Sequence, residues 1–95
     1  MRVSKEQLEF LKRQVKNYLP KAKVYLFGSR ADSQKKGGDI DILILSDRVL
    51  TLREKRQIRI AFFTQFGEQK LDLVSFTFER EDPFKEWIML EAIEL

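Results

Sequence analysis

The stretch LFGSRADSQKKGGDIDIL at positions 26–43 decides the fold of this chain and carries its most distinctive motif. An apolar run ends here in a Gly-Ser turn, formed by Gly28 and Ser29. Nine residues separate Ser29 from Asp39, and Asp39 and Asp41 then alternate with isoleucines inside a second apolar run. Acidic side chains are rarely buried without a partner that compensates their charge. The pattern therefore indicates a site for a metal ion and a nucleotide at the ends of two strands.

The acids of this stretch have a spacing that suits metal ligands on a strand. Asp39 and Asp41 point to the same face of an extended chain, with Cα atoms about 6.6 Å apart. A third acid, Asp72, lies in another short apolar run at positions 71–74. If the two strands are neighbours, its carboxylate joins the same cluster. Carboxylates this close repel one another, and divalent cations relieve that repulsion while they neutralise charge during phosphoryl or nucleotidyl transfer.

The Gly-Ser turn supplies the other half of the predicted site. Gly28 has no Cβ, so the backbone can approach a ligand closely. Ser29 offers a hydroxyl and a backbone N–H at the start of a short helical turn, an arrangement that favours anions such as a triphosphate. Arg30 adds a permanent positive charge beside them. Each of these features is common by itself, and the prediction depends on their combination with the acids.

The composition narrows the chemistry that such a site can use. The 95 residues suffice for one domain, spanning 1–95, and 43% hydrophobic with 35% charged residues is ordinary for a soluble globular protein. The chain contains no cysteine and no histidine, which excludes disulfides, Ser-His-Asp triads and the usual zinc ligands. The remaining hard oxygen ligands favour magnesium or manganese. We expect a cytoplasmic protein, because no apolar run could span a bilayer and the N-terminus is too polar for a secretory signal.

Local signals predict alternating helices and strands. Ser4 with Gln7 and Thr51 with Glu54 match the capping-box pattern, and Asp82 followed by proline is a further helix start. The predicted helices run from Ser4 to Pro20, from Thr51 to about Phe66 with Gly67 as C-cap, and from Asp82 onward, the last lined by Phe84, Trp87, Ile88 and Ala92. The predicted strands are 23–27, 39–45 and 70–78. The second strand is apolar on both faces, so we place it in the middle of a small sheet within an α/β domain.

These residues resemble the polymerase-β-type nucleotidyltransferase superfamily. Its signature is an apolar residue, Gly-Ser or Gly-Gly, a gap of roughly nine to thirteen residues, and Asp-x-Asp or Asp-x-Glu between apolar residues. The run at positions 26–31 and the short length are similar to the minimal nucleotidyltransferase (MNT) group. Gly38 departs from the serine that is frequent before the first acid in that family. The resemblance implies the polymerase-β-like α/β (α+β) fold, with helices packed on a small mixed sheet.

The resemblance also implies residue roles and a partner. Gly28, Ser29 and Arg30 would contact the nucleotide phosphates. Asp39, Asp41 and Asp72 would bind Mg²⁺ or Mn²⁺, and the third acid would also help to deprotonate the attacking hydroxyl. Members of the MNT group are commonly paired with a helical HEPN protein as toxin and antitoxin, so the family implies transfer of AMP from ATP to such a partner. A domain of this size cannot enclose both ATP and an acceptor, which favours a hetero-oligomer or a homodimer.

Two alternative functions remain open at this level. The chain could be a non-catalytic antitoxin that neutralises its partner by stoichiometric docking, although the complete set of acids argues against a degenerate site. It could instead modify a small molecule, which would require an acceptor-binding domain that these residues do not provide. A basic face on the second predicted helix, formed by Arg53, Lys55, Arg56 and Arg59, is interpreted as solvated surface. Direct nucleic-acid binding is not expected, because no basic motif is interleaved with aromatic residues.

Overall fold

The computed structural model describes residues 4–28 and 40–95. In these ranges the chain forms three helices and four strands. They are α1 (Lys5–Tyr18), β1 (Lys23–Phe27), β2 (Ile40–Ser46), α2 (Leu52–Phe66), β3 (Leu71–Thr77), α3 (Pro83–Met89) and β4 (Ile93–Glu94). None of the described helices combines the length and the hydropathy that crossing a bilayer would require.

The helix starts follow the capping signals of the sequence. The Ser4 hydroxyl accepts a hydrogen bond from the Gln7 backbone N–H, and the Gln7 Oε1 atom accepts one from the Ser4 backbone N–H. Thr51 and Glu54 form the same reciprocal pair at the start of α2. Asp82 accepts from the backbone N–H of Phe84 at 2.8 Å. These bonds satisfy backbone donors that a helix cannot pair internally, so the three predicted starts are confirmed.

The four strands form one mixed sheet in the order β3-β2-β1-β4. β2 lies inside the sheet, as predicted, with β1 antiparallel on one side and β3 parallel on the other. A parallel pair needs a crossover connection, and α2 supplies it between β2 and β3. The predicted small mixed sheet with packed helices is therefore present.

The two faces of the sheet are covered unequally. One face carries the main core, where Ile42 and Val24 of the sheet pack with Leu11 of α1 and with Ile58 and Phe62 of α2. These side chains are at most 1% exposed. The opposite face carries a smaller cluster in which Ile88 of α3 packs on Tyr25, Leu43 and Leu45. Because α3 has only seven residues, it covers this second face only in part.

The C-terminal region differs from its prediction. α3 ends at Met89, so Ala92 lies beyond the helix that it was expected to line. After α3 the backbone forms a turn before it enters β4. Hydrogen bonds between residues near in sequence stabilise this turn, including one from the Glu91 N–H to the Ile88 carbonyl at 3.2 Å. β4 has two residues and pairs with β1 through contacts distant in sequence, which a local pattern cannot reveal. Phe84 and Trp87, also expected to line the helix face, are 47% and 67% exposed.

An ion pair at the start of α2 gives a pH-dependent test of the fold. Both guanidinium NH₂ groups of Arg48 donate to the Glu54 carboxylate, at 2.8 and 2.9 Å, and the Thr51 N–H donates to it at 2.9 Å. The hydrogen bonds from Arg48, followed by that from Thr51, lower the pKa of Glu54 from 4.5 to about 2. A lowered folded-state pKa stabilises the protein above the unfolded value, and that stabilisation is lost as the pH falls toward 2.

We therefore predict that Glu54→Gln lowers the free energy of unfolding by about 1 kcal/mol at neutral pH, through loss of the ion pair and weakening of the cap. Urea denaturation of both proteins at neutral pH and at about pH 3 measures the effect, and the difference between them should shrink at the lower pH. Glu9→Gln, at an exposed position of α1, is the matched control. If Glu54→Gln lowers the free energy of unfolding by the same amount at both pH values, the lowered pKa of Glu54 would be contradicted.

Candidate active site

Two of the predicted acids lie side by side at one end of the sheet. Asp41 of β2 is in register with Asp72 of the parallel strand β3, and on its other side with Phe27 of β1. Directly paired residues on neighbouring strands have Cα atoms about 4.8 Å apart and side chains on the same face. Both aspartates are half-buried. The structure thus sets Asp41 and Asp72, which lie 31 residues apart in the chain, side by side on neighbouring strands.

Gly28 lies directly against this pair. Its φ is +76°, a left-handed conformation that side-chain-bearing residues rarely adopt. A Cβ placed on Gly28 would overlap the Asp41 Oδ2 atom and lie 3.0 Å from Asp41 Cγ. The glycine therefore lets an exposed stretch of backbone touch the carboxylate of Asp41. The sequence predicted a close approach of Gly28 to a bound nucleotide, and that contact stays a prediction.

Three of the predicted site residues, Ser29, Arg30 and Asp39, lie outside the described residues. Their proposed contacts with phosphate and metal stay predictions.

Arg59 fixes the start of β3 next to Asp72. Its Nε donates to the Leu71 carbonyl at 3.0 Å, while the Ile40 N–H donates to the Lys70 carbonyl at 3.0 Å. The backbone immediately before Asp72 is thus tied to α2 on one side and to β2 on the other. The sequence interpretation placed Arg59 on a solvated basic face, and the structure shows it half-buried and bonded instead. Its position next to the fully buried Ile58 is the signal that could have indicated this.

Lys55, one turn earlier on α2, is also half-buried rather than fully solvated. Burial lowers the pKa of its ammonium group, and the positive charge of Arg59 lowers it further. Of the four residues in the predicted basic face, only Arg53 and Arg56 are exposed. The face is therefore narrower than the sequence suggested, which weakens any interpretation of α2 as a binding surface for polyanions.

A cavity of about 110 Å³ opens beside Gly28. Its lining joins the end of β1 to the end of α3 and consists of Phe27, Gly28, Trp87, Ile88, Leu90 and Glu91. Sequence reasoning took Trp87 for a residue of the helix face or of an interface. The spacing of apolar residues on a seven-residue helix could not show that the indole would border the acidic end of the sheet.

The donor set fits a divalent cation. Two carboxylates in neighbouring strand positions repel each other, and a cation between them removes that penalty. Oxygen ligands of this kind suit Mg²⁺ or Mn²⁺. Among residues 4–28 and 40–95 there is no group of three potential metal ligands. The third predicted acid, Asp39, lies outside these ranges.

Comparisons with known proteins identify the family and the fold of the chain. A family model described as "Nucleotidyltransferase domain" matches residues 4–95. A chain from a mutant MntA–HpeT toxin–antitoxin complex superposes with a TM-score of 0.73 at 20% identity, covering 99% of this chain and 72% of that chain. A toxin–antitoxin complex with AMP-PNP gives 0.70 at 19% identity, with 90% and 69% covered.

A third similar structure is a complex of tri-AMPylated Shewanella oneidensis HEPN toxin with MNT antitoxin. It gives a TM-score of 0.60 at 20% identity, with 93% of this chain and 70% of that chain covered. No curated protein sequence matches the chain significantly. At these identities the structural likeness establishes the fold, and it confirms the fold class that the sequence predicted.

The contact between Gly28 and Asp41 can be tested with a pair of glycines. Gly67 also has a positive φ, +90°, but a Cβ there would meet no atom within 4 Å. We predict that Gly28→Ala and Gly67→Ala each lower the free energy of unfolding by roughly 1–3 kcal/mol, because both strain the backbone. Only Gly28→Ala should also weaken Mn²⁺ binding, because the added methyl group displaces the Asp41 carboxylate.

Mn²⁺ titration followed by electron paramagnetic resonance, alongside urea denaturation, separates the two effects. Equal Mn²⁺ affinity in Gly28→Ala and the unmodified chain would show that Asp41 is not part of the metal site.

Proposed function

Because the chain belongs to the nucleotidyltransferase domain family, we propose that it transfers AMP from ATP to a protein partner of the HEPN family in the cytoplasm, as the antitoxin of a two-gene pair. The observation that carries this proposal is the pairing of β2 with its two neighbours: β3 sets Asp72 beside Asp41, and the end of β1 sets Gly28 against Asp41. No other local arrangement of the described residues offers two paired carboxylates beside an exposed glycine backbone.

The residues of the site take distinct roles under this proposal. Asp41 and Asp72, together with Asp39, would hold Mg²⁺, and this ion, when bound, would offset the negative charge of the triphosphate. The hydroxyl of the partner forms a bond to the α-phosphorus of ATP, the bond from that phosphorus to the β-phosphate oxygen breaks, and pyrophosphate leaves. Asp72 also accepts the proton of the attacking hydroxyl, since the chain has no histidine to do so. Gly28, Ser29 and Arg30 hold the phosphates.

The open side of the site supports an acceptor on another chain. Asp41 and Asp72 lie on the face that α3 covers only in part, and Gly28 is exposed. An acceptor residue of a partner can therefore approach the carboxylates. The Shewanella complex contains a tri-AMPylated HEPN toxin bound to an MNT antitoxin, which supports a HEPN protein as the acceptor here by analogy of fold.

We predict that Asp41→Asn and Asp72→Asn each reduce nucleotide transfer by roughly 100-fold or more, because each removes one negative charge from the cation site. Asp39→Asn should have the same effect. The measurement is incubation with labelled ATP, Mg²⁺ and a co-purified partner, followed by mass spectrometry for an added AMP. Asp47→Asn, an exposed acid just after β2, is the control and should retain full transfer.

Full transfer of AMP by the Asp72→Asn variant would show that Asp72 is not part of the catalytic site. A partner that is neutralised without any added AMP, equally well by the unmodified chain and by Asp41→Asn, would favour the non-catalytic antitoxin instead.

A further inference from the structure

Two large apolar side chains at the end of α3 are exposed next to the candidate active site. Trp87 is 67% exposed and Leu90 is 80% exposed, while Ile88 between them is 2% exposed and anchors the helix to the sheet. The anchoring of Ile88 fixes the direction in which its neighbours project. Exposed aromatic surface at a fixed position is typical of a binding site.

These side chains border the cavity of about 110 Å³ beside Gly28. A pocket for a whole small-molecule ligand usually measures about 300 Å³ or more. The cavity is therefore sized for one part of a ligand, such as a single flat ring system. Its lining includes Phe27 and Gly28 from the end of β1, where Phe27 pairs with Asp41, and Trp87 and Leu90 from the end of α3.

The position of the cavity indicates which part of a nucleotide would bind in it. A nucleotide whose phosphates approach Gly28 and Asp41 must direct its ribose and base away from the carboxylates. The cavity is the concave surface that begins at Gly28 and leads away to α3. The indole of Trp87, which stacks on Phe84 with 6.3 Å between the ring centroids, lies in the lining of the cavity. Base–aromatic stacking contributes substantially to the binding of nucleic-acid bases.

We propose that this cavity is the nucleobase subsite, in which the base stacks on Trp87 and its exocyclic amino group donates a hydrogen bond to Glu91. The proposal rests on the proposed function only in taking a nucleotide as the substrate. Glu91 lies in the lining of the cavity. Its carboxylate can accept a hydrogen bond from an exocyclic amino group, whereas the corresponding carbonyl oxygen of uracil can only accept, so bases with an amino group are favoured over uracil. ATP therefore binds more tightly than UTP.

The intrinsic fluorescence of the protein reports on this subsite without an added label, because Trp87 is the one tryptophan of the chain. Intrinsic fluorescence is measured while Mg·ATP, Mg·UTP or Mg·tripolyphosphate is added in the absence of any partner protein. We expect a saturable change with ATP, weaker affinity for UTP, and no change with tripolyphosphate, which competes with ATP through the phosphate half of the site. Competition by ATP that leaves the fluorescence unchanged would overturn the proposal.

Variants separate stacking from other roles of the indole. We expect Trp87→Ala to weaken ATP affinity roughly tenfold, measured by competition with a labelled ATP analogue, and Trp87→Phe to restore most of it. Glu91→Ala should reduce the preference for ATP over UTP. Phe78→Ala, which removes an exposed aromatic side chain outside the cavity, is the control and should bind ATP normally.

The outcome also distinguishes this subsite from a docking surface. If Trp87→Ala binds ATP normally but no longer labels its partner, the exposed indole serves protein docking and the base subsite is wrong. A nucleotide-dependent change in fluorescence without transfer to any partner would support the subsite and contradict the proposed transfer reaction.

Discussion

The register between β2 and β3 is the constraint on which the site depends. It sets Asp41 opposite Asp72, so two like charges face each other on neighbouring strands. Side chains alternate between the faces of a sheet, so a slip by one residue would move Asp72 into the main core and Leu71 out of it. Leu71 and Leu73 are 2% and 4% exposed on that core face. Their burial therefore fixes the register, and the register places the carboxylates.

Among the described residues, the helices cover the two faces of the sheet unequally, and the candidate site lies on the less covered face. α1 and α2 bury one face through a large cluster that includes the edge-to-face rings of Phe10 and Phe66, 5.3 Å apart. This side supplies most of the apolar burial that stabilises the fold. The short helix α3 packs on apolar residues of the other face, such as Leu43 and Leu45. The cluster that it forms does not include Asp41 or Asp72. One face of the sheet therefore contributes most of the stability, and the opposite face provides access to the candidate site.

The parts of this structure that local chemistry determines could be predicted from the sequence. Capping residues such as Thr51 with Glu54 interact within one helical turn, and the apolar residues on both faces of β2 require an internal strand. Asp41 was recognisable because an acid inside an apolar strand needs compensation. Asp72 was recognisable for the same reason, although its pairing with Asp41 required the parallel register that only the structure provides.

The parts that depend on distant contacts could not be predicted. β4 forms because β1 offers a free edge, and Arg59 is bonded because the Leu71 carbonyl lies beside α2. The exposure of Trp87 follows from the shortness of α3 and from the anchoring of Ile88. None of these features has a signature within its own segment of sequence. The roles of Ser29, Arg30 and Asp39 stay predictions of the motif.

The most direct test of the central claim is a crystal structure of the chain with Mn²⁺ and a non-hydrolysable ATP analogue, with anomalous scattering used to locate the metal. We expect an anomalous peak bound by oxygens of both Asp41 and Asp72, at about 2.1 Å, the distance typical of octahedral Mg²⁺ sites. A peak elsewhere, or one that contacts neither aspartate while the nucleotide is bound, would contradict it.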